Sequence, residues 1–189
     1  MGDVSGNSPE IIIDSILSVI SIHKAIIFDL RNNGGGFGEY GEPFANAFSE
    51  GENFVNTSQV RNGPNYDNYD DAISYYTADD NINQYLKPVV VLTDAFTVSA
   101  AESILLYLKT NSHVTHIGDR TAGAFSTAST FQFLPNGWAY KYPIEASFDA
   151  DGVSLDNTGI LPDIPSKNTP ENISNDLDIV LEDAIEYLD

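Results

Sequence analysis

The chain has 189 residues, 42% of them hydrophobic, with 28 acidic against 8 basic side chains and a formal net charge of −20. That length can bury one sizeable core, while the acidic excess excludes nucleic-acid or anionic-membrane binding through a basic patch. The absence of cysteine excludes thiol catalysis, disulfides and Cys-based zinc sites, and no apolar run is long enough for membrane insertion as a spanning helix.

Met1-Gly-Asp opens directly into a Ser/Asn/Pro-containing helix start with no recognisable signal peptide, which reads as a domain excised from a longer protein. Pro9 to Ile22 carries Ile12, Ile16, Val19 and Ile20 at helical spacing. The strand Ala25 to Leu30 then ends abruptly in Arg31-Asn-Asn-Gly-Gly-Gly36. Glycines tolerate positive φ and leave backbone N–H groups unshielded, so such a turn can hold an oxyanion or a phosphate. A tight strand-to-helix turn without any ligand would use the same residues. A short helix is expected from Glu39 to Phe48. Residues 49 to 85, rich in Asn, Asp, Tyr and Gly, read as a strand followed by a long surface excursion. Its tyrosines either pack on the domain or line a substrate groove.

A second buried-type strand, Val89 to Leu92, leads through a short turn into a helix beginning near Ser99. There the serine oxygen and the following amides lie at the positive end of the helix dipole, where negative charge on a carbonyl oxygen would be stabilised. Equally, Thr97 or Ser99 can be a plain cap, with Glu102 completing a capping box. Further on, Val114 to Ile117 reads as a strand, Ala124 to Leu134 and Trp138 to Pro143 as a hairpin around Pro135-Asn-Gly137, and Leu177 to Leu188 as an acidic amphipathic helix. Strands alternating with helices imply an α/β layer architecture. No helical pair of metal ligands occurs at the usual spacing, so no metal and no cofactor is expected.

Taken together, these segments resemble the tail-specific or C-terminal processing serine peptidase family, which includes the tricorn core and the repeats of interphotoreceptor retinoid-binding protein. Asp29-Leu-Arg-Asn-Asn-Gly-Gly-Gly36 is similar to the family's Asp-Leu-Arg-x-Asn-x-Gly-Gly element, and Thr97-Val-Ser-Ala-Ala-Glu102 to its nucleophile element. Gly118-Asp-Arg-Thr-Ala-Gly123, Leu134-Pro-Asn-Gly137 and Asp156-Asn-Thr-Gly-Ile-Leu-Pro-Asp163 follow in the expected order. The resemblance implies a ClpP/crotonase-like β-β-α superhelix, with residues 1–189 forming the peptidase catalytic core, truncated at its N-terminal side. Nothing in the chain matches the PDZ domain that commonly precedes such cores. By the same resemblance, Ser99 would attack a peptide carbonyl, and the amides of Ala100 and of Gly34 or Gly35 would form the oxyanion hole. A protein or peptide substrate and a periplasmic, cell-envelope or secreted location are implied with it.

The general base departs from the pattern. In the processing-protease branch a lysine follows the glycine of a Gly-x-x-Thr-x-Gly element; here that position is Ala124. Lys141, the one lysine in that downstream region, is expected on a strand edge with its charge in water. The tricorn-like branch uses serine, histidine and a downstream acid. Asp156 stands where that branch has a glutamate, one methylene longer, and its histidine comes from a strand upstream of the Asp-Leu-Arg element. His23 lies at the wrong end of the first strand, about 20 Å from the Gly turn. His113 and His116 are expected at the opposite end of the layer from Ser99, as surface or half-buried structural residues. A non-catalytic peptide- or lipid-binding module on the same scaffold is the competing reading, and Ala124 favours it.

Overall fold

A computed structural model describes residues 8–36, 41–78, 83–126, 129 and 131–189. Its organising element is β4 (Val89–Thr93), every residue of which is buried. A five-residue run of Val and Leu ending in Thr has no polar side to offer water, and such strands sit inside parallel sheets covered on both faces. Here β1 (Ile26–Asp29), β4, β5 (Val114–Gly118) and β9 (Ile164–Pro165) form that sheet in the order β1-β4-β5-β9, all parallel.

Alternation along β4 divides the core in two. Val89 and Val91 face a large cluster built from α1 (Pro9–Ile20), α2 (Gly41–Asn46) and α3 (Ala100–Lys109), including Leu17, Phe44, Leu105 and Leu108. Val90 and Leu92 face the other way, with Ile117 and with Val180 and Ala184 of α5 (Ile179–Leu188). A second, antiparallel sheet is ordered β3-β2-β8, from β2 (Phe54–Val60), β3 (Ile73–Tyr76) and β8 (Glu145–Phe148). A short ribbon of β6 (Gln132–Phe133) and β7 (Ala139–Tyr140) and a five-residue helix α4 (Pro170–Ser174) complete the described chain. No helix among the described residues is long and apolar enough to cross a membrane.

The α/β expectation holds as a mixed fold with a parallel sheet. The first helix stops at Ile20 because Ser21 and Ile22 form a turn. The second helix begins, among described residues, at Gly41; the expected start at Glu39 lies outside them. The surface excursion contains β3, paired back onto β2. Of the expected hairpin, residues 127, 128 and 130 lie outside the described residues; the described part pairs two residues a side around a turn closed by Leu134 N–H to Trp138 O at 2.7 Å. The sequence gives no sign of β8, β9 or α4, since elements of two to five residues with mixed polarity carry too little periodicity to register.

His116 corrects its sequence expectation: it is fully buried in the middle of β5, beside Val91 in the ladder. Thr93 Oγ1 donates to Asp119 O at 2.7 Å, so the His116 Nε2–H donates to Thr93 Oγ1 at 2.6 Å, leaving Nδ1 without a partner among the described residues. Burial, reinforced by the nearby charge of Lys109, pushes its pKa down to about 4 from 6.5. The unfolded chain therefore binds a proton below pH 6.5 that the folded chain refuses until about pH 4. Stability is expected to be complete above 6.5 and to fall through that window, by up to about 1.4 kcal/mol per pH unit. His113, half-buried with a likewise lowered pKa, adds to the same slope. Urea titrations between pH 7 and 4 check this: His116→Gln should flatten most of the slope, and an unchanged slope would assign it elsewhere.

Candidate active site

The loops leaving the carboxyl ends of β1 and β4 are stitched to each other. Val98 N–H donates to Asn33 O at 3.0 Å, Asn32 N–H to Asp94 Oδ1 at 3.0 Å, and the buried Thr97 hydroxyl to Leu30 O at 3.0 Å. These bonds hold the Gly turn against the start of α3. Gly35, at φ +85°, sits so close that a Cβ there would lie 2.7 Å from Val98 O, 2.8 Å from Ser99 Cβ and 2.9 Å from Ala100 N. Only a residue without a side chain permits this approach. The structure thus brings Gly35, Ser99 and Ala100 together, with Gly34 next to them in open space.

Ser99 precedes α3 with φ 59° and ψ −124°. An ordinary N-cap takes extended backbone with negative φ. Ser99 instead occupies a region that L-residues rarely adopt, and such strain collects at functional sites. A sharp strand-to-helix turn of this kind exposes a serine oxygen at the top of a parallel sheet. Ala100, the first residue of α3, has an N–H with no intrahelical acceptor, as the first turn of any helix must. Gly35 N–H is engaged by Asn33 Oδ1 at 3.0 Å.

Glu102 does more than the capping box anticipated from the sequence. Its Oε2 accepts Ser99 N–H at 2.9 Å, the reciprocal half of that box, and also Ala124 N–H at 3.0 Å. Its Oε1 accepts the Thr121 hydroxyl at 2.6 Å and Gly123 N–H at 2.7 Å. The side chain is fully buried, and this carboxyl group, together with the Ala122 N–H to Thr97 O bond at 3.0 Å, binds the loop 121–124 to the Ser99 turn. Glutamate three residues after a helix-opening serine was the available signal; the donors from 121–124 were not legible, because they come from sequence 19 to 22 residues away.

Asp156 is held by the chain that follows this loop. Oδ1 accepts Ser126 N–H at 3.0 Å and Oδ2 accepts Ser147 N–H at 3.4 Å, while Asn157 N–H reaches Gly123 O at 2.7 Å. Asp156 is therefore anchored beside the Ala124 loop rather than solvated on a free one. Ala124 offers no proton acceptor. Lys141 is exposed, its Nζ 4.5 Å from the Phe131 ring centre. His23 is exposed at the entry to β1, and His116 is consumed by its contact with Thr93. No group of three or more His, Cys, Asp or Glu placed to hold a metal occurs among the described residues.

Asp29 and Arg31 of the first motif build a brace. Arg31 donates to both Asp29 oxygens at 2.9 and 2.7 Å and to both Asp178 oxygens at 2.7 and 2.9 Å. Asp178 also accepts Leu181 N–H at 3.2 Å as the cap of α5. The Arg31 guanidinium holds the Asp178 carboxyl well below the usual carboxylate range. This bidentate pairing ties the base of the Gly turn to the C-terminal helix.

Comparison with known proteins points the same way. Residues 12–166 match the model of peptidase family S41. The carboxy-terminal processing protease CtpA of Bacillus subtilis (strain 168) is 30% identical over 145 residues, covering 76% of this chain and 29% of CtpA. A Parabacteroides merdae ATCC 43184 protein, provisionally described as a peptidase, superposes with a TM-score of 0.86 at 28% identity, covering 97% of this chain and 57% of its own. Mature CPAF complexed with lactacystin shares the fold, with a TM-score of 0.79 at 18% identity over 99% of this chain and 47% of its own. The chain thus spans between about a third and somewhat over half of these relatives.

Proposed function

Because the chain belongs to peptidase family S41, we propose that it is the catalytic core of a serine endopeptidase with Ser99 as nucleophile. Ser99 Oγ would bond to the carbonyl carbon of a peptide, its proton passing to a base, and the carbonyl oxygen would become an oxyanion. Ala100 N–H, at the positive end of α3, supplies one donor for that charge. Of the two glycines implied for the second donor, Gly34 has the N–H unengaged among the described residues, since Gly35 donates to Asn33. Collapse of the intermediate returns the proton to the leaving amine and leaves an acyl-serine for water to hydrolyse.

The base on this reading is a histidine contributed from outside the 189 residues, in the tricorn-like manner, with Asp156 orienting it. Removing one member of such a triad leaves only oxyanion-hole and binding contributions, so this segment alone is expected to be feeble. The two sheets would be layers of a ClpP/crotonase-like β-β-α superhelix, the substrate a protein or peptide, and the location periplasmic, cell-envelope or secreted. Ala124 at the family's lysine position is the observation favouring the competing reading, a binding module on the same scaffold.

The observation that carries the peptidase reading is the strained Ser99 backbone packed against Gly35 at the start of α3. Treating the full-length protein with an alkyl fluorophosphonate, alongside Ser99→Ala, tests it. An adduct on the Ser99 peptide that vanishes in the variant is expected; a folded full-length protein that takes no label would leave the binding module as the better account.

A further inference from the structure

A cavity of about 300 Å³ opens between α3 and the β3-β2-β8 sheet, and Ala100 lies in its lining. Ala100, Ser103, Ile104 and Tyr107 make one helical face of it, a span of about 10 Å along the axis. Opposite, Ser58 and Ser147, partners in the β2–β8 ladder, contribute to a polar floor. Two carboxyl side chains enter from different walls: Glu42 from α2, and Glu145, which shares a strand face with Ser147. No lysine, arginine or histidine is found among the described lining residues.

Tyr107 supplies an independent sign of a ligand. It is only 6% exposed, and its hydroxyl, with no hydrogen-bond partner among the described residues, is open to the cavity rather than sealed in the core. Burial and the charge of Glu42 raise its pKa, so hydroxyl and carboxylate share one end of the cavity. An apolar occupant would strip water from two carboxylates and a hydroxyl without replacing it. An acidic occupant would add repulsion. A long cationic side chain matches all of the lining, its aliphatic stem along Ile104 and Phe125 and its head on Glu42, Glu145 and Tyr107.

We propose that this cavity is the primary specificity pocket and takes the lysine or arginine side chain of the residue whose carbonyl Ser99 attacks. The inference rests on the peptidase reading, for Ala100, whose N–H would hold the attacked carbonyl, also lines the cavity, so the side chain of that carbonyl's residue starts next to it. Glu42 and Glu145 are then the specificity determinants.

Three aryl phosphonate esters differing only in a lysine, leucine or glutamate side chain test it on the full-length protein. The lysine ester should label Ser99 roughly tenfold or more faster than the leucine ester, with glutamate slowest. In Glu42→Gln the lysine-to-leucine ratio should shrink, and in Glu42→Gln/Glu145→Gln it should approach one. The single variant, at an exposed position, guards against misfolding of the double. If the alkyl fluorophosphonate labels Ser99 but lysine has no advantage, the pocket assignment falls and the peptidase reading stands. If no phosphonate labels Ser99, the peptidase reading falls. Calorimetry with agmatine then decides whether the cavity binds cations: saturable binding lost in the double variant keeps that property, and its absence overturns it.

Discussion

Glu102→Ala is expected to remove the reactivity of Ser99 and to destabilise the fold on the order of 4 kcal/mol. The carboxyl group is fully buried and accepts from Ser99 N–H, the Thr121 hydroxyl, Gly123 N–H and Ala124 N–H. Truncation leaves four donors without their acceptor, the buried Thr121 hydroxyl and Gly123 N–H costing about 1–3 kcal/mol each if they stay dry and the part-buried Ser99 and Ala124 N–H groups less, since water reaches them. Glu102→Gln is the sharper variant: it keeps the volume but turns one acceptor into a donor aimed at other donors, about 1.5–3 kcal/mol. Urea unfolding reads the stability, and the fluorophosphonate labelling rate of the folded protein reads the site. If Glu102 positions Ser99, Glu102→Gln lowers the labelling rate well below the folded fraction. A purely structural role would lower stability and leave the rate of the folded molecules unchanged.

Gly35→Ala is expected to damage the same turn from the other side. The added Cβ would stand 2.7 Å from Val98 O, 2.8 Å from Ser99 Cβ and 2.9 Å from Ala100 N, two of the three being backbone that cannot rotate away. The φ of +85° adds strain for any L-residue. A loss of about 2 kcal/mol or more is expected, and because displacement by ~1 Å can cost about 100-fold in rate, labelling should fall by that order. Gly34→Ala is the control for stability, since a Cβ at that position would meet nothing within 4 Å; its unfolding midpoint should stay within about 0.5 kcal/mol of the parent. Equal stability losses at both glycines would show that turn flexibility, not close packing on Ser99, is what Gly35 provides.

Much of the machinery was legible in order along the chain. The Gly turn after an apolar strand, the serine at a helix start and Asp156 before its turn are local patterns, each readable within a few residues. His116 shows the limit: Val-Thr-His-Ile reads as a strand with a polar side chain, and only the layers on both sides of β5 decide that the imidazole is sealed from water. β8 shows another, because Glu-Ala-Ser-Phe gains its meaning from pairing with β2, far earlier in the chain.

The sequence by itself determined the α/β architecture, the motif order and the absence of a lysine at position 124, since periodicity and residue identity are local properties of the chain. Only the tertiary structure decided that Gly35 touches Ser99, that Glu102 gathers donors from a distant loop, and that two glutamates and a tyrosine without a partner among the described residues line the cavity beside Ala100. Those relations exist between residues far apart in sequence, and they arise only when burial of Val90, Leu92 and their neighbours forces separate strands into one sheet.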